Sequence, residues 1–469
     1  MCTLNDDISE AEEAIEDIIP VIDTAHVSDS NPICKKCGCQ ETYISLRSKN
    51  NYCKTCFLTM TTHKFKAALG KSKLMKLNDW VLIGHSGKVN STVLLHLATR
   101  ESMSKKLSLK YKVLHIDDGM IKGQSLEERQ QIRNALTKEA ETLPFPVYTI
   151  SLSKSIAHII YDKIHLIDTS EINVTEEDEA LRKIFKDLQN DTARDELLKQ
   201  LRQKLLVSAA YTLECSKIFV ADTSVDIAIK VLGDVSTGRG SQLPFNVAFS
   251  DTRYSDLMLL RPLRDFTEED IAGYAHFYEL HPILSSRESK SPFRASIRSI
   301  AKRFVQKLDS ECYGTVSTIY RISGKISAKI EELNDGNANG MIDDNKCVLC
   351  ELTLDSSPEE VSVVQAKLFS KLVSTVKDFS VNSSTNSLCT FEQTVNEQIK
   401  EQKGSQCRCT INCNSPKNEF DVGKYLCYSC KLIFLDSKQA NSLPGFILDS
   451  IKRRAQIENL REKIAGFLL

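Results

Sequence analysis

The chain has no run of about 18 apolar residues, the length a membrane-spanning helix needs. Its first twenty residues carry acids where a secretory leader would place Lys or Arg ahead of an apolar core. A soluble, cytoplasmic protein with no membrane partner is expected. Glycine (18) and proline (11) are scarce in 469 residues, which excludes collagen-like, elastic and wholly disordered classes. Net charge is nearly absent as well, −1 at pH 7, so any nucleic-acid surface must come from local segregation of charge. What is present is an ordinary 41 % hydrophobic and 26 % charged composition, long enough for about three domains. There are also sixteen cysteines. A reducing compartment would not keep these as disulfides, so metal ligation or redox chemistry is the first expectation.

Charge is segregated. Residues 1–30 hold nine acids and no Lys or Arg, which predicts a solvated arm. Residues 47–76 reverse this: Arg47, Lys49, Lys54, Lys64, Lys66, Lys71, Lys73 and Lys76 stand without an acid, interleaved with Tyr52, Phe57 and Phe65. Aromatic rings among unbalanced cations suit RNA, and a solvated helix face is the alternative. A second basic stretch holds Arg287, Lys290, Arg294, Arg298, Lys302, Arg303 and Lys307. Within it Arg294, Arg298 and Lys302 recur every fourth residue, which on a helix places them on one face.

From 79 to 284 short apolar runs alternate with longer helical patterns, the rhythm of a parallel α/β sheet. Strands are expected at Trp80–Gly84, Tyr111–Asp117, Phe145–Ile150 and Ile218–Asp222. Ser125 with Glu128 predicts a capping box opening one helix, and Thr267 caps another. The last thirty residues suit an amphipathic helix carrying Ile447, Ile451, Leu460 and Ile464. Asn334–Asn345 and the polar stretch Thr375–Gln406 read as linkers.

Cys34-x2-Cys37 followed fifteen residues later by Cys53-x2-Cys56 brings four thiolates to one tetrahedral centre, a structural zinc ribbon. Cys39 is a spare. Cys347-x2-Cys350 and Cys427-x2-Cys430 repeat the bite and are assigned to a second zinc, with Cys407, Cys409 and Cys413 as competing ligands and iron as an alternative metal. The turn after the first strand, Gly84-His85-Ser86-Gly87-Lys88-Val89-Asn90-Ser91, offers backbone donors and a helix start to a phosphate. It is not a Walker loop, because two residues rather than four separate its glycines and Val follows Lys.

With these residues together the sequence resembles the PP-loop ATPases, and in particular the cytoplasmic tRNA 2-thiolation protein 2 family. The resemblance rests on the cysteine knuckles running into Cys56-Phe57, the LGKSK segment, and Ser86, Gly87 and Ser91 of the pattern Ser-Gly-Gly-x-Asp-Ser. It extends to HIDDG (His115–Gly119), VADTSVDIAIKVLGDVSTGRGSQLPF (Val220–Phe245) and RPLRDFTEEDIAGY (Arg261–Tyr274). It implies an α/β fold: a parallel-sheet, Rossmann-like PP-loop domain at 77–310, preceded by an acidic arm at 1–31 and a zinc ribbon with basic segment at 32–76. A helix and linker at 311–346, a second zinc module with an inserted segment at 347–436, and a C-terminal helix at 437–469 would follow. It also implies chemistry in which ATP adenylates the C2 oxygen of a tRNA wobble uridine. Sulfur from a thiocarboxylated ubiquitin-related carrier then displaces AMP.

The departures bear on whether this chain performs that reaction. Lys88 stands for the second glycine and Asn90 for the aspartate, and between residues 57 and 346 only Cys215 and Cys312 occur, too few for a catalytic triad of cysteines. These weigh against ATP binding at Ser86, Gly87, Lys88, Asn90 and Ser91. The expectation is a non-catalytic subunit that pairs with a catalytic PP-loop paralogue as a heterodimer and helps bind tRNA. Its candidate phosphate contacts are Lys64, Lys66, Lys71, Lys73, Arg294, Arg298 and Lys302. The rivals are an active thiolase using Lys88 and a zinc-organised interaction scaffold.

Overall fold

The computed structural model describes residues 33–40, 44–46, 50–103, 109–156, 164–254, 256–284, 292–312, 314–325, 346–354, 422–434 and 443–465. The acidic arm, both linkers, Arg287, Lys290, Cys407, Cys409 and Cys413 lie outside them. No helix among the described residues is long and apolar enough to cross a membrane.

The N-terminal knuckles enclose a two-stranded antiparallel ribbon, β1 (Ile44–Leu46) and β2 (Asn50–Tyr52), which runs into α1 (Lys54–Ser72). Phe57, Thr61, Phe65 and Leu69 recur every fourth residue and are the buried stripe of α1. The stripe packs on α8 (Glu268–Phe277), where Phe57 meets Phe277 edge to face at 5.5 Å. Phe57 and Phe65, which suit RNA by sequence, are therefore core, and Tyr52 is half-buried against it.

Five parallel strands form the centre of a seven-stranded sheet: β3 (Trp80–Gly84), β4 (Lys110–Asp117), β5 (Val147–Ser151), β7 (Lys217–Phe219) and β9 (Met258–Leu260). Short antiparallel strands close its edges, β6 (His165–Leu166) beside β5 and β8 (Ser250–Asp251) beside β9. The order β6-β5-β4-β3-β7-β9-β8 reverses direction between β3 and β7. In doubly wound sheets this switch point, at the carboxyl ends of the strands, is where ligands bind. The inner strands are continuous apolar runs, and Val81, Leu82, Ile83, Val113, Leu114 and Ile218 are essentially inaccessible, as a sheet covered on both faces requires.

The covering helices are α2 (Val89–Met103), α3 (Leu126–Thr142), α4 (Glu176–Asp187), α5 (Asp191–Thr212), α6 (Ser224–Ser236), a single turn α7 (Leu243–Val247), α8, α9 (Ile297–Glu311) and α10 (Thr315–Ser323). Ser125 with Glu128 and Thr267 with Asp270 do form capping boxes, and so do Thr175 with Asp178 and Thr223 with Asp226. The basic register is corrected. Ser296 caps α9, so Arg294 lies ahead of the helix and shares no helical face with Arg298 and Lys302.

Beyond these, Tyr428–Phe434 forms α11 and Gly445–Ala465 forms α12. Ile447 and Ile451 of α12 join the core that also contains Leu201, Leu205 and the four late cysteines. Leu460 and Ile464 stay exposed, so only the first half of the expected amphipathic face is covered.

Candidate functional site

The turn after β3 stands at the switch point. Gly87 takes φ +77°, and an added Cβ there would lie 3.2 Å from Leu284 Cγ; its carbonyl accepts from Leu284 N at 2.9 Å. Lys88 is not among the residues of positive φ, so its side chain replaces a glycine without backbone strain. Ser86 Oγ donates to Ser91 Oγ (3.1 Å), which donates to the Lys88 carbonyl (2.8 Å). Asn90 Nδ2 donates to Asp226 Oδ2 at 3.1 Å. An aspartate at 90 would face that carboxylate with like charge, a repulsion the amide avoids.

Around this turn cations converge from four parts of the chain. Burial holds the Lys88 ammonium down to about 8, and the charges of Lys122, Lys302 and Arg202 push in the same direction, opposed by Asp226. Asp118 of the HIDDG segment pairs with Lys122 (2.8 Å) and with Arg202. Burial disfavours its charge, but Arg202 and Lys122 overcome this and hold the carboxyl well below the usual range. Lys302, exposed on α9, is thus brought to the turn from more than two hundred residues away. Sequence reasoning misses Lys122 and Arg202 because neither lies in a basic run.

The other predicted cations divide. Lys64 pairs with Asp270 at 2.6 Å and Lys66 with Glu101 at 2.9 Å, in both cases against an almost fully buried carboxylate. Lys71, Lys73 and Arg294 are exposed. Arg298 turns inward to a water-sized cavity that it lines with Asp195, Glu196 and Asp234. Burial opposes its charge, and Asp195, Glu196, Asp234 and Asp222 more than offset that. Arg298 is therefore spent inside the protein.

Two sets of cysteines gather. In the first knuckle Cys34 N donates to Cys39 O and Gly38 N to Cys34 O, both 2.8 Å, with Gly38 at φ +72°. Cys347 repeats this turn: its N–H donates to Leu352 O (2.8 Å), Glu351 N donates to Cys347 O (2.9 Å), and Glu351 takes the left-handed position at φ +59°. The sulfurs of Cys347, Cys350, Cys427 and Cys430, all buried, lie within 4.8 Å of one another. In the first set the same holds for Cys34, Cys37, Cys39 and Cys53. Cys56 sits beside them within reach of Cys53, Cys37 and Cys34. The spare Cys39 is thus inside the cluster, and five thiols surround the site.

Each set can hold a metal ion. Cys37 and Cys53 sulfurs are 3.8 Å apart, and those of Cys350 and Cys427 3.7 Å. A tetrahedron of about 2.3 Å Zn–S bonds has an edge of about 3.8 Å. The two sulfur–sulfur distances match that edge. Hydrogen bonds from Cys350, Cys427 and Cys430 pull the Cys347 thiol far down, while those among the same sulfurs push Cys430 far up. Sulfurs this close influence one another's ionisation, and a divalent ion among them would favour the thiolate form.

Cys215 precedes β7, at the amino end of the sheet and opposite the turn; burial pushes its thiol up to about 11. Cys312 is exposed at the end of α9. Neither is placed to serve the switch point.

The chain is similar to known proteins along its whole length. The family model described as cytoplasmic tRNA 2-thiolation protein 2 matches residues 296–432. The protein of that name from Danio rerio is 27 % identical over 522 residues, spanning 100 % of this chain and 99 % of its own. That from Anopheles gambiae is 27 % identical over 412 residues, spanning 87 % and 92 %. Among solved structures, a U34-tRNA thiolase from Methanococcus maripaludis with its [4Fe-4S] cluster is 20 % identical, covers 62 % of this chain and 86 % of that one, and superposes with a TM-score of 0.46. The chain is thus similar to the cytoplasmic tRNA 2-thiolation protein 2 family, by its model over residues 296–432 and by named relatives along its length.

Proposed function

We propose that this chain acts in the cytoplasm in tRNA wobble-uridine 2-thiolation as a non-catalytic subunit. In this reading it pairs with a catalytic PP-loop paralogue and holds tRNA while sulfur arrives from a thiocarboxylated ubiquitin-related carrier. One observation supports the reading: at the switch point Lys88 and Asn90 stand where the PP-loop pattern places glycine and aspartate, with further cations around them. Lys88 occupies a glycine position, Asn90 is engaged by Asp226, and Lys122, Arg202 and Lys302 add positive charge about them. Such a surface attracts a phosphodiester backbone. Among the described residues, Cys215 and Cys312 stand away from it, so neither supplies a sulfur relay there. Both cysteine sets serve as structural zinc sites in this reading, Cys34, Cys37, Cys53 and Cys56 (with Cys39 as a fifth thiol) and Cys347, Cys350, Cys427 and Cys430.

The test is to purify the chain with and without its paralogue and to measure tRNA binding and thiolation in each. Thiolation is expected from the pair alone. Lys88→Glu and Lys302→Glu should each weaken tRNA binding and lower the salt slope by about one. Thiolation by the lone chain would overturn the non-catalytic assignment, and unchanged salt slopes would overturn the phosphate site.

A further inference from the structure

The TGRG-x-x-LP segment, conspicuous in the sequence, faces away from the turn after β3 and onto the late cysteines. Arg239 and Gln242 lie between α6 and α7 and are 1 % and 2 % exposed. Arg239 Nη2 and Nη1 donate to Cys430 Sγ at 3.6 and 3.8 Å. Gln242 Nε2 donates to Cys427 Sγ at 3.3 Å, and its Oε1 accepts from Arg239 Nη1 at 3.0 Å. The Arg239 Nε makes an ion pair with Glu196 Oε2 at 3.0 Å, off the hydrogen-bond direction.

The segment is pressed against the knuckle. Ser429 Oγ donates to Thr237 O at 3.0 Å. Gly238, at φ +75°, leaves only 3.0 Å between an added Cβ and Tyr428 Cε1. A guanidinium keeps its proton in proteins, and a buried one needs negative partners. Glu196 supplies one on the Nε side, but the Nη side meets only Gln242 and Cys430, where neutral thiols supply none. Four thiolates around a divalent ion carry a net charge of −2, and N–H donors to the sulfurs spread that charge, the task of groups behind the ligands.

We propose that Arg239 and Gln242 are positioning residues of a single-ion tetrathiolate centre at Cys347, Cys350, Cys427 and Cys430, holding Cys430 and Cys427 from behind. The centre is then completed by the α/β domain itself rather than by a self-sufficient zinc module. This rests on the reading that the late cysteines bind metal, and the experiment separates the two.

The full chain is purified, its zinc content measured by mass spectrometry, and the rate of zinc capture by a chromophoric chelator followed. Cys430→Ser identifies the ion belonging to the late set. If that variant holds as much zinc as the wild type, the metal reading itself fails. With the ion identified, Arg239→Met should weaken retention of that ion by 10–100-fold, the range seen when groups behind metal ligands are removed. The ion of the N-terminal set should be unaffected, and Arg239→Lys should restore part of the loss. After cobalt substitution, Arg239→Met should shift the thiolate-to-cobalt charge-transfer band, which loss of packing alone would not do. Should Arg239→Met not fold, Gln242→Leu, which removes one neutral donor, carries the same expectation at about tenfold. Wild-type retention and an unshifted band in whichever variant folds would overturn the proposal.

Discussion

Reversing Lys64 separates structural from RNA-binding cations. Its ammonium lies 2.6 Å from Asp270, whose side chain is 3 % exposed while that of Lys64 is 30 % exposed. The same Asp270 carboxylate accepts from Thr267 N at 3.0 Å and closes the capping box of α8. The Lys64 ammonium also sits 5.3 Å from the Phe266 ring centroid. Lys64→Met removes a hydrogen bond between charged groups, about 1.5–3 kcal/mol, and leaves Asp270 with its cap. Lys64→Glu sets a second carboxylate against a buried one, about 3–5 kcal/mol. For an α/β body of this size about 3 °C per kcal/mol applies, so Lys64→Glu should melt about 10 °C below the wild type, followed by circular dichroism. Lys71→Glu and Lys73→Glu, at exposed positions, should melt with the wild type and instead lower tRNA affinity in a salt-dependent way. If Lys64→Glu keeps the wild-type melting temperature and loses as much RNA affinity as Lys71→Glu, the ion pair does not hold α1 to α8 and the assignment is reversed.

Three further outcomes are expected. Because Lys88 loses its proton near pH 8, below the ordinary lysine value, tRNA affinity should fall as pH rises from about 7.5 to 9 and stay flat over that window in Lys88→Met; identical curves would refute the role. The sign for stability is opposite: the unfolded chain keeps this proton longer, so the Lys88 contribution to stability rises with pH between about 8 and 10.5. Gly273→Ala places a Cβ 2.6 Å from Ile44 Cδ1 and 2.8 Å from Phe57 Cζ. Overpacking of about 1–3 kcal/mol should outweigh the gain of about 1 kcal/mol in helix propensity and raise hydrogen exchange in β1 and α1. Stabilisation would mean that this contact yields.

The α/β class and several helix starts were legible because apolar periodicity and capping are local: Ser125 with Glu128, and Thr267 before α8, announce themselves within four residues. The signal was weaker at the sheet edges, where β6 and β8 hold two residues each and owe their pairing to the neighbouring strand. Phe57 and Phe65 misled because an aromatic ring beside lysines has the same sequence signature on a core stripe as on an RNA platform. Arg298 misled because its acids come from α5, α6 and the loop after β7, which no local window contains.

By itself, the sequence determined that two pairs of CxxC knuckles exist, that the phosphate-facing turn has lost a glycine and an acid, and that strands alternate with helices. Those are properties of neighbouring residues, set by side-chain spacing and backbone freedom. Only the tertiary structure decided that Cys39 enters the first cluster, that the charges of Lys122, Arg202 and Lys302 act on Lys88, and that Arg239 stands behind Cys430. A buried charge must find its partner wherever the fold supplies one, and here that partner is up to 206 residues away, as for Asp270 and Lys64.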